Sequence, residues 1–153
     1  MPEVNKILTA ICFSDYCGDT FTYASRLALQ LNADLVVANV INQRAVEGIS
    51  TIQAMGYNVS VDDYIKGVKE EGTAQLEKMI DGSGFPKEKI KIIFKVGSVF
   101  DQLIKIIKEE QIDLVVMGSK GQSDHPHLLV GSVADKMFRH SPVSVAFYRK
   151  RGK

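Results

Sequence analysis

The sequence predicts an α/β protein built on an open, mostly parallel five-stranded sheet with helices on both faces. Three observations carry this. Short apolar segments alternate along the chain with stretches of helical period. The segment Asp34 to Ile41 is almost continuously apolar, the pattern of a strand covered on both faces. A glycine-rich run, Met117-Gly118-Ser119-Lys120-Gly121, leaves the apolar segment Leu114-Val115-Val116 and is followed, after a nine-residue spacer, by Gly131-Ser132-Val133.

The elements follow in order. Ile7 to Ile11 reads as the first strand, and Phe21, Ala24, Leu27, Ala28 and Leu31 recur at helical spacing behind it. Asp34 to Ile41 is the second strand. Residues 42 to about 60 lose periodicity and read as an irregular loop. From Val61 a helix is marked by Tyr64, Ile65, Val68, Leu76, Met79 and Ile80. It stops at Asp81-Gly82-Ser83-Gly84, and Gly67 and Gly72 count against it. Ile90, Ile92, Phe94 and Val96 alternate with Lys91, Ile93 and Lys95, a third strand with one wetter face, as at a sheet edge. Ser98 with Asp101 resembles a capping box, and Val99, Leu103, Ile106 and Ile107 form the buried stripe of the next helix. Asp113 to Met117 is the fourth strand. Val133, Ala134, Met137 and Phe138 mark a fourth helix, and Val143 to Phe147 a fifth strand.

Helical crossovers between strands require a parallel sheet. With the third strand at one edge and the fifth at the other, the order is 3-2-1-4-5. Ligands in such sheets sit beyond the carboxyl ends of the strands, where the order reverses. That places the loop after Ile11, with Cys12-Phe13-Ser14-Asp15, beside the glycine motif.

Composition excludes several classes. With 153 residues, 45% hydrophobic and 24% charged, the chain reads as a single domain over 1–153, with its core at about 5–148. Such a length buries roughly 70% of the unfolded surface. Nineteen basic against eighteen acidic residues leave a net charge of +1, with no field to recruit nucleic acid or anionic membrane. Cys12 and Cys17 form neither a Cys-x-x-Cys motif nor a metal-ligand pattern. No signal-type or membrane-spanning apolar run is present, and the expected setting is a reducing cytoplasm.

The glycine motif has a physical reading of its own. Glycine at 118, 121 and 131 permits close backbone approach and positive φ. The N–H groups of Ser132 and Val133 at a helix start favour an anion, and the Ser132 hydroxyl suits phosphate or a magnesium ion. A ligand-free glycine turn with an N-cap serine would satisfy the same spacing.

The segments Met117 to Gly121, Gly131-Ser132-Val133-Ala134 and Arg139-His140-Ser141-Pro142-Val143 resemble the nucleotide-binding signature and last strand of the universal stress protein family. Lys6-Ile7-Leu8, Tyr23-Ala24, Ala33-Asp34-Leu35 and Asp113 to Val116 extend the resemblance along the chain. It implies a Rossmann-like, adenine-nucleotide-binding fold, usually homodimeric, acting in stress survival. ATP, with or without Mg2+, is the implied ligand. By position, Gly118, Ser119, Gly121, Gly131, Ser132 and Val133 would meet ribose and phosphates, and Ala10, Cys12, Val40 and Met117 would line base and ribose.

One position departs from the family pattern: Cys12 stands where the family usually has an aspartate ending the first strand. A thiol cannot replace a carboxylate that grips a hydroxyl or magnesium; such a contact is worth about 1.5–3 kcal/mol. In the spacer, Lys120 precedes Gln122-Ser123-Asp124-His125-Pro126-His127 as the fixed cation. The two histidines lack a third ligand and read as surface residues, so no metal site is assigned. No catalytic constellation stands at useful spacing. Lys95-Val96-Gly97 ends the third strand where a receiver domain would carry its phosphoacceptor aspartate.

Val143 to Phe147 is an uncharged, apolar edge strand, which a twofold-related copy would cover in a homodimer. The sequence therefore points to a homodimeric ATP-binding stress module with room for a protein partner. A nucleotide-independent scaffold with a weakened site and a slow ATP hydrolase are the alternatives on the same fold.

Overall fold

The computed structural model describes residues 3–11, 17–119 and 131–150. Five strands, β1 (Lys6–Ala10), β2 (Asp34–Asn42), β3 (Ile90–Gly97), β4 (Leu114–Gly118) and β5 (Ser144–Tyr148), form one sheet in the order β3-β2-β1-β4-β5. Every pairing is parallel. The expected order and the edge positions of the third and fifth strands are therefore borne out.

Five α-helices cover the sheet: α1 (Cys17–Leu31), α2 (Gln43–Ala54), α3 (Val61–Ser83), α4 (Val99–Glu109) and α5 (Ser132–His140). Because strand side chains alternate, the sheet builds two cores. On one face Ile7, Leu35, Val37 and Val116 meet Phe21, Ala24 and Ala28 of α1 and Leu76 and Ile80 of α3. On the other, Leu8, Val36, Val115 and Met117 meet Leu103, Ile106 and Ile107 of α4 and Ala134 and Met137 of α5. Each fully buried Leu, Ile or Phe contributes about 1.5–3 kcal/mol, which fixes the register of β1 between β2 and β4.

Four sequence expectations need correction. Residues 43 to 54 are helical. Asn42 caps α2 by accepting from the Arg44 N–H at 3.0 Å; Val46, Ile49 and Ile52 recur at helical spacing along it, although no residue of this helix is fully buried. Ser98 occupies the N-cap of α4 without making the side-chain bond of a capping box; that bond is made at α3, where Ser60 accepts from the Asp63 N–H at 3.4 Å. Phe138, expected to mark a helix face, is 78% exposed, on the flank of α5 beside the buried pair Ala134 and Met137. Positive φ is confined among the described glycines to Gly56, Gly84 and Gly97. Gly131 sits at φ −72°, so it and Gly118 serve the motif through their missing side chains rather than a left-handed backbone.

At the amino ends of the strands the backbone closes on itself. The Asp113 carboxylate accepts from the Asn5 and Lys6 N–H groups at 2.8 and 3.0 Å. The Asp113 N–H donates to the Lys6 carbonyl at 2.9 Å, and the Asp34 N–H to the Asn5 carbonyl at 2.9 Å.

Candidate functional site

The carboxyl ends of the strands are stepped. Pairing of β1 with β4 stops at Thr9–Val116, and pairing of β1 with β2 stops at Ala10–Ala38. Meanwhile β2 runs on beside β3 to Asn42–Gly97, and β4 beside β5 to Gly118–Tyr148. The early end of β1 leaves a notch at the reversal of strand order, the place where open α/β sheets bind ligands. Ala10 forms its floor, Val40 one wall and Met117 and Gly118 the other; all four line a cleft of about 1100 Å³.

The glycine motif closes over this notch. The Ser119 N–H donates to the Tyr148 carbonyl at 3.3 Å, and the Gly131 N–H to the Ser119 carbonyl at 2.6 Å. The two ends of the spacer are thus pinned together, with Gly131 as the N-cap residue of α5. The first bond of the α5 ladder is Asp135 N–H to the Gly131 carbonyl at 2.9 Å, so the amides of Ser132, Val133 and Ala134 precede the ladder at the helix start. All three residues line the cleft. Such an amide cluster with the helix dipole behind it is suited to phosphate oxygens.

Of the residues read from the sequence, Ala10, Val40, Met117, Gly118, Ser132 and Val133 line this one cleft, and Ser119 and Gly131 are joined at its rim. Cys12, Lys120 and Gly121 lie outside the described residues, as do His125 and His127. Electrostatics favour an anion: Arg44 and Lys136 outnumber Glu71 among the charged side chains that line the cleft. A polyphosphate fits this donor set. Among the described residues no three His, Cys, Asp or Glu side chains gather to hold a metal ion.

Sequence reasoning missed Asn39. Its side chain is buried on the α1 and α3 face of β2, and its amide donates to the Ile11 carbonyl at 2.7 Å. An asparagine inside an apolar strand carries no sequence signal for a partner 28 residues away.

With this geometry in place, comparison with known proteins is informative. The model of the universal stress protein family matches residues 3–149. The universal stress protein YxiE of Bacillus subtilis is 28% identical over 147 residues, covering 95% of this chain and 99% of that one. The universal stress protein MJ0577 of Methanocaldococcus jannaschii is 23% identical over 157 residues, 95% of either chain. A solved structure of MJ0577 has a TM-score of 0.79 to this fold, at 19% identity, over 99% of this chain and 100% of that one. A universal stress protein solved in complex with cAMP gives a TM-score of 0.66, at 21% identity, over 97% and 99% of the two chains. The structural likenesses establish the doubly covered parallel sheet, and the family match spans almost the whole length: this chain belongs to the universal stress protein family.

Proposed function

We propose that this protein is a homodimeric, ATP-binding module of the stress response, whose occupancy alters dimer shape or partner choice in the cytoplasm. The observation that carries the reading is the closure of Gly131 on Ser119 at 2.6 Å. It sets the α5 amides opposite the notch left by β1, so phosphates and base have adjoining places in one cleft. Phosphates would lie along Gly118, Ser119 and the start of α5; Lys120 and Gly121 of the glycine motif, outside the described residues, are the further phosphate contacts that the family resemblance implies. The base and ribose lie over Ala10, Cys12, Val40 and Met117. The cAMP complex of a structural neighbour supports an adenine nucleotide as the ligand class. The cleft exceeds the roughly 300–1,000 Å³ of typical small-molecule sites, ample for ATP.

The dimer would form through β5. This strand ends the sheet, and exposed aromatic groups lie on helices that cover the sheet: Phe138 on α5, 78% exposed, and Tyr23 on α1, 43% exposed with its ring 5.4 Å from that of Tyr148. A second copy pairing antiparallel across a twofold axis would cover both the unpaired backbone groups and these rings.

Cys12 favours one competing reading, a scaffold whose ribose contact has lapsed. Denaturing the purified protein, analysing released nucleotide and titrating the stripped protein with Mg-ATP by calorimetry separates the two. Carried-over adenine nucleotide or saturable ATP binding supports the proposal; absence of both overturns it in favour of the scaffold.

A further inference from the structure

We propose that Lys136 is a specificity-determining residue of the cleft: its ammonium meets the phosphates beyond the first, so the protein holds a nucleoside triphosphate in preference to a monophosphate or a cyclic nucleotide. This inference rests on the adenine-nucleotide reading of the cleft and narrows it to a ligand class.

Helix α5 sets up the selection. Lys136 stands four residues after Ser132, and both line the cleft, so they share one stripe of the helix. The Cα–Cβ bonds of a helix tilt toward its amino end, and one turn rises about 5.4 Å, so the four-carbon stem carries the ammonium back over the first turn. There it stands beside the amides of Ser132 and Val133. Those amides offer a place for one phosphate, which a monophosphate fills without needing the cation. A longer phosphate chain continues past them and brings further charge to the ammonium. The other charges of α5 leave Lys136 available. Both carboxylate oxygens of Asp135 accept from the Arg139 Nε at 3.2 Å, whereas Lys136 is exposed and forms no ion pair among the described residues. A compact ammonium on a flexible stem suits a phosphate chain as a point charge. Arg44, the second cationic side chain of the lining, stands near the start of α2 just past the end of β2, on the Val40 wall rather than that of Gly118.

Calorimetric titration of the nucleotide-stripped protein with Mg-ATP, AMP and cAMP tests this. Lys136→Gln keeps most of the stem and removes the charge at an exposed position that the fold does not depend on. Its Mg-ATP affinity should fall about tenfold or more, the scale of one charge-assisted hydrogen bond, while AMP and cAMP affinities stay within about twofold of wild type. Lys136→Arg should keep the preference for ATP over AMP to within about threefold. Arg44→Gln removes the same charge from the opposite wall and should change that preference by less than about threefold, because a diffuse field is screened where a direct contact is not. Wild-type ATP affinity in Lys136→Gln, an equal loss for AMP, no rescue by arginine, or an equal change of preference in Arg44→Gln overturns the inference. Wild type that binds none of the three nucleotides overturns the functional reading together with this inference. Wild type that binds AMP or cAMP as tightly as ATP leaves the adenine-nucleotide reading standing and overturns this inference alone.

Discussion

The two ends of the same sheet treat their backbone in opposite ways. At the amino ends, around Asn5, Lys6, Asp34 and Asp113, the strand-end groups are paired with one another, and the Asp113 carboxylate accepts from two successive N–H groups. At the carboxyl ends, β1 stops short, the Asn39 side-chain amide donates to the Ile11 carbonyl, and helix starts at Ser98 and Ser132 line a cleft. One end is closed on itself by hydrogen bonds, and the other opens into a cleft. The same topology yields both, because in parallel strands all crossover helices begin at the carboxyl edge, where their positive dipole ends collect.

Substitutions at each end should therefore separate stability from binding. The largest expected effect on binding is at Ser132. Ser132→Asp places a carboxylate at the first position of α5, which suits the helix dipole, so the melting temperature should hold or rise. The same carboxylate faces the phosphates, and Mg-ATP affinity by calorimetry should fall about a hundredfold or more. The converse experiment belongs to the closed end. Asp113→Ala removes the acceptor of two backbone N–H groups and should cost about 1.5–3 kcal/mol in urea denaturation, with ATP affinity within twofold of wild type. If the stability loss comes with an equal loss of binding, the two ends are not independent.

Cys12→Asp tests the ribose half of the cleft. Restoring the family's carboxylate should raise ATP affinity by about tenfold or more, read by the same titration. No gain would place the family contact in the backbone. The smallest effect on the cleft should come from the sheet edge. Ser144→Lys puts a charge at the exposed start of β5 and should shift the dimer to monomer in analytical ultracentrifugation while ATP affinity changes less than threefold. A dimer that survives this change would place the twofold contact elsewhere.

Much of this arrangement is legible in the residues. The near-continuous apolar run of β2 and the lysines alternating in β3 place the centre and one edge of the sheet, because strand burial depends on position within it. The glycine-motif side of the cleft is equally readable, since a glycine turn between a strand and a helix start is a local pattern. What escapes is tertiary. Helix α2 has no fully buried residue, and Gly48 within it lowers its propensity, so the short stripe Val46, Ile49 and Ile52 is easily passed over as loop. Asn39 looks like a polar interruption of a strand until its partner, Ile11, is brought beside it. Phe138 fits a buried helical stripe in sequence, yet it lies on the flank of α5 and stays exposed.

The central claim is that one adenine nucleotide binds per chain where Gly131 closes on Ser119. Equilibrium dialysis of nucleotide-stripped wild type and Ser132→Asp against labelled ATP with magnesium tests it most directly. The account predicts saturation near one ATP per chain for wild type and no saturation at the same concentrations for Ser132→Asp. Equal binding by the two proteins, or none by wild type, would contradict it.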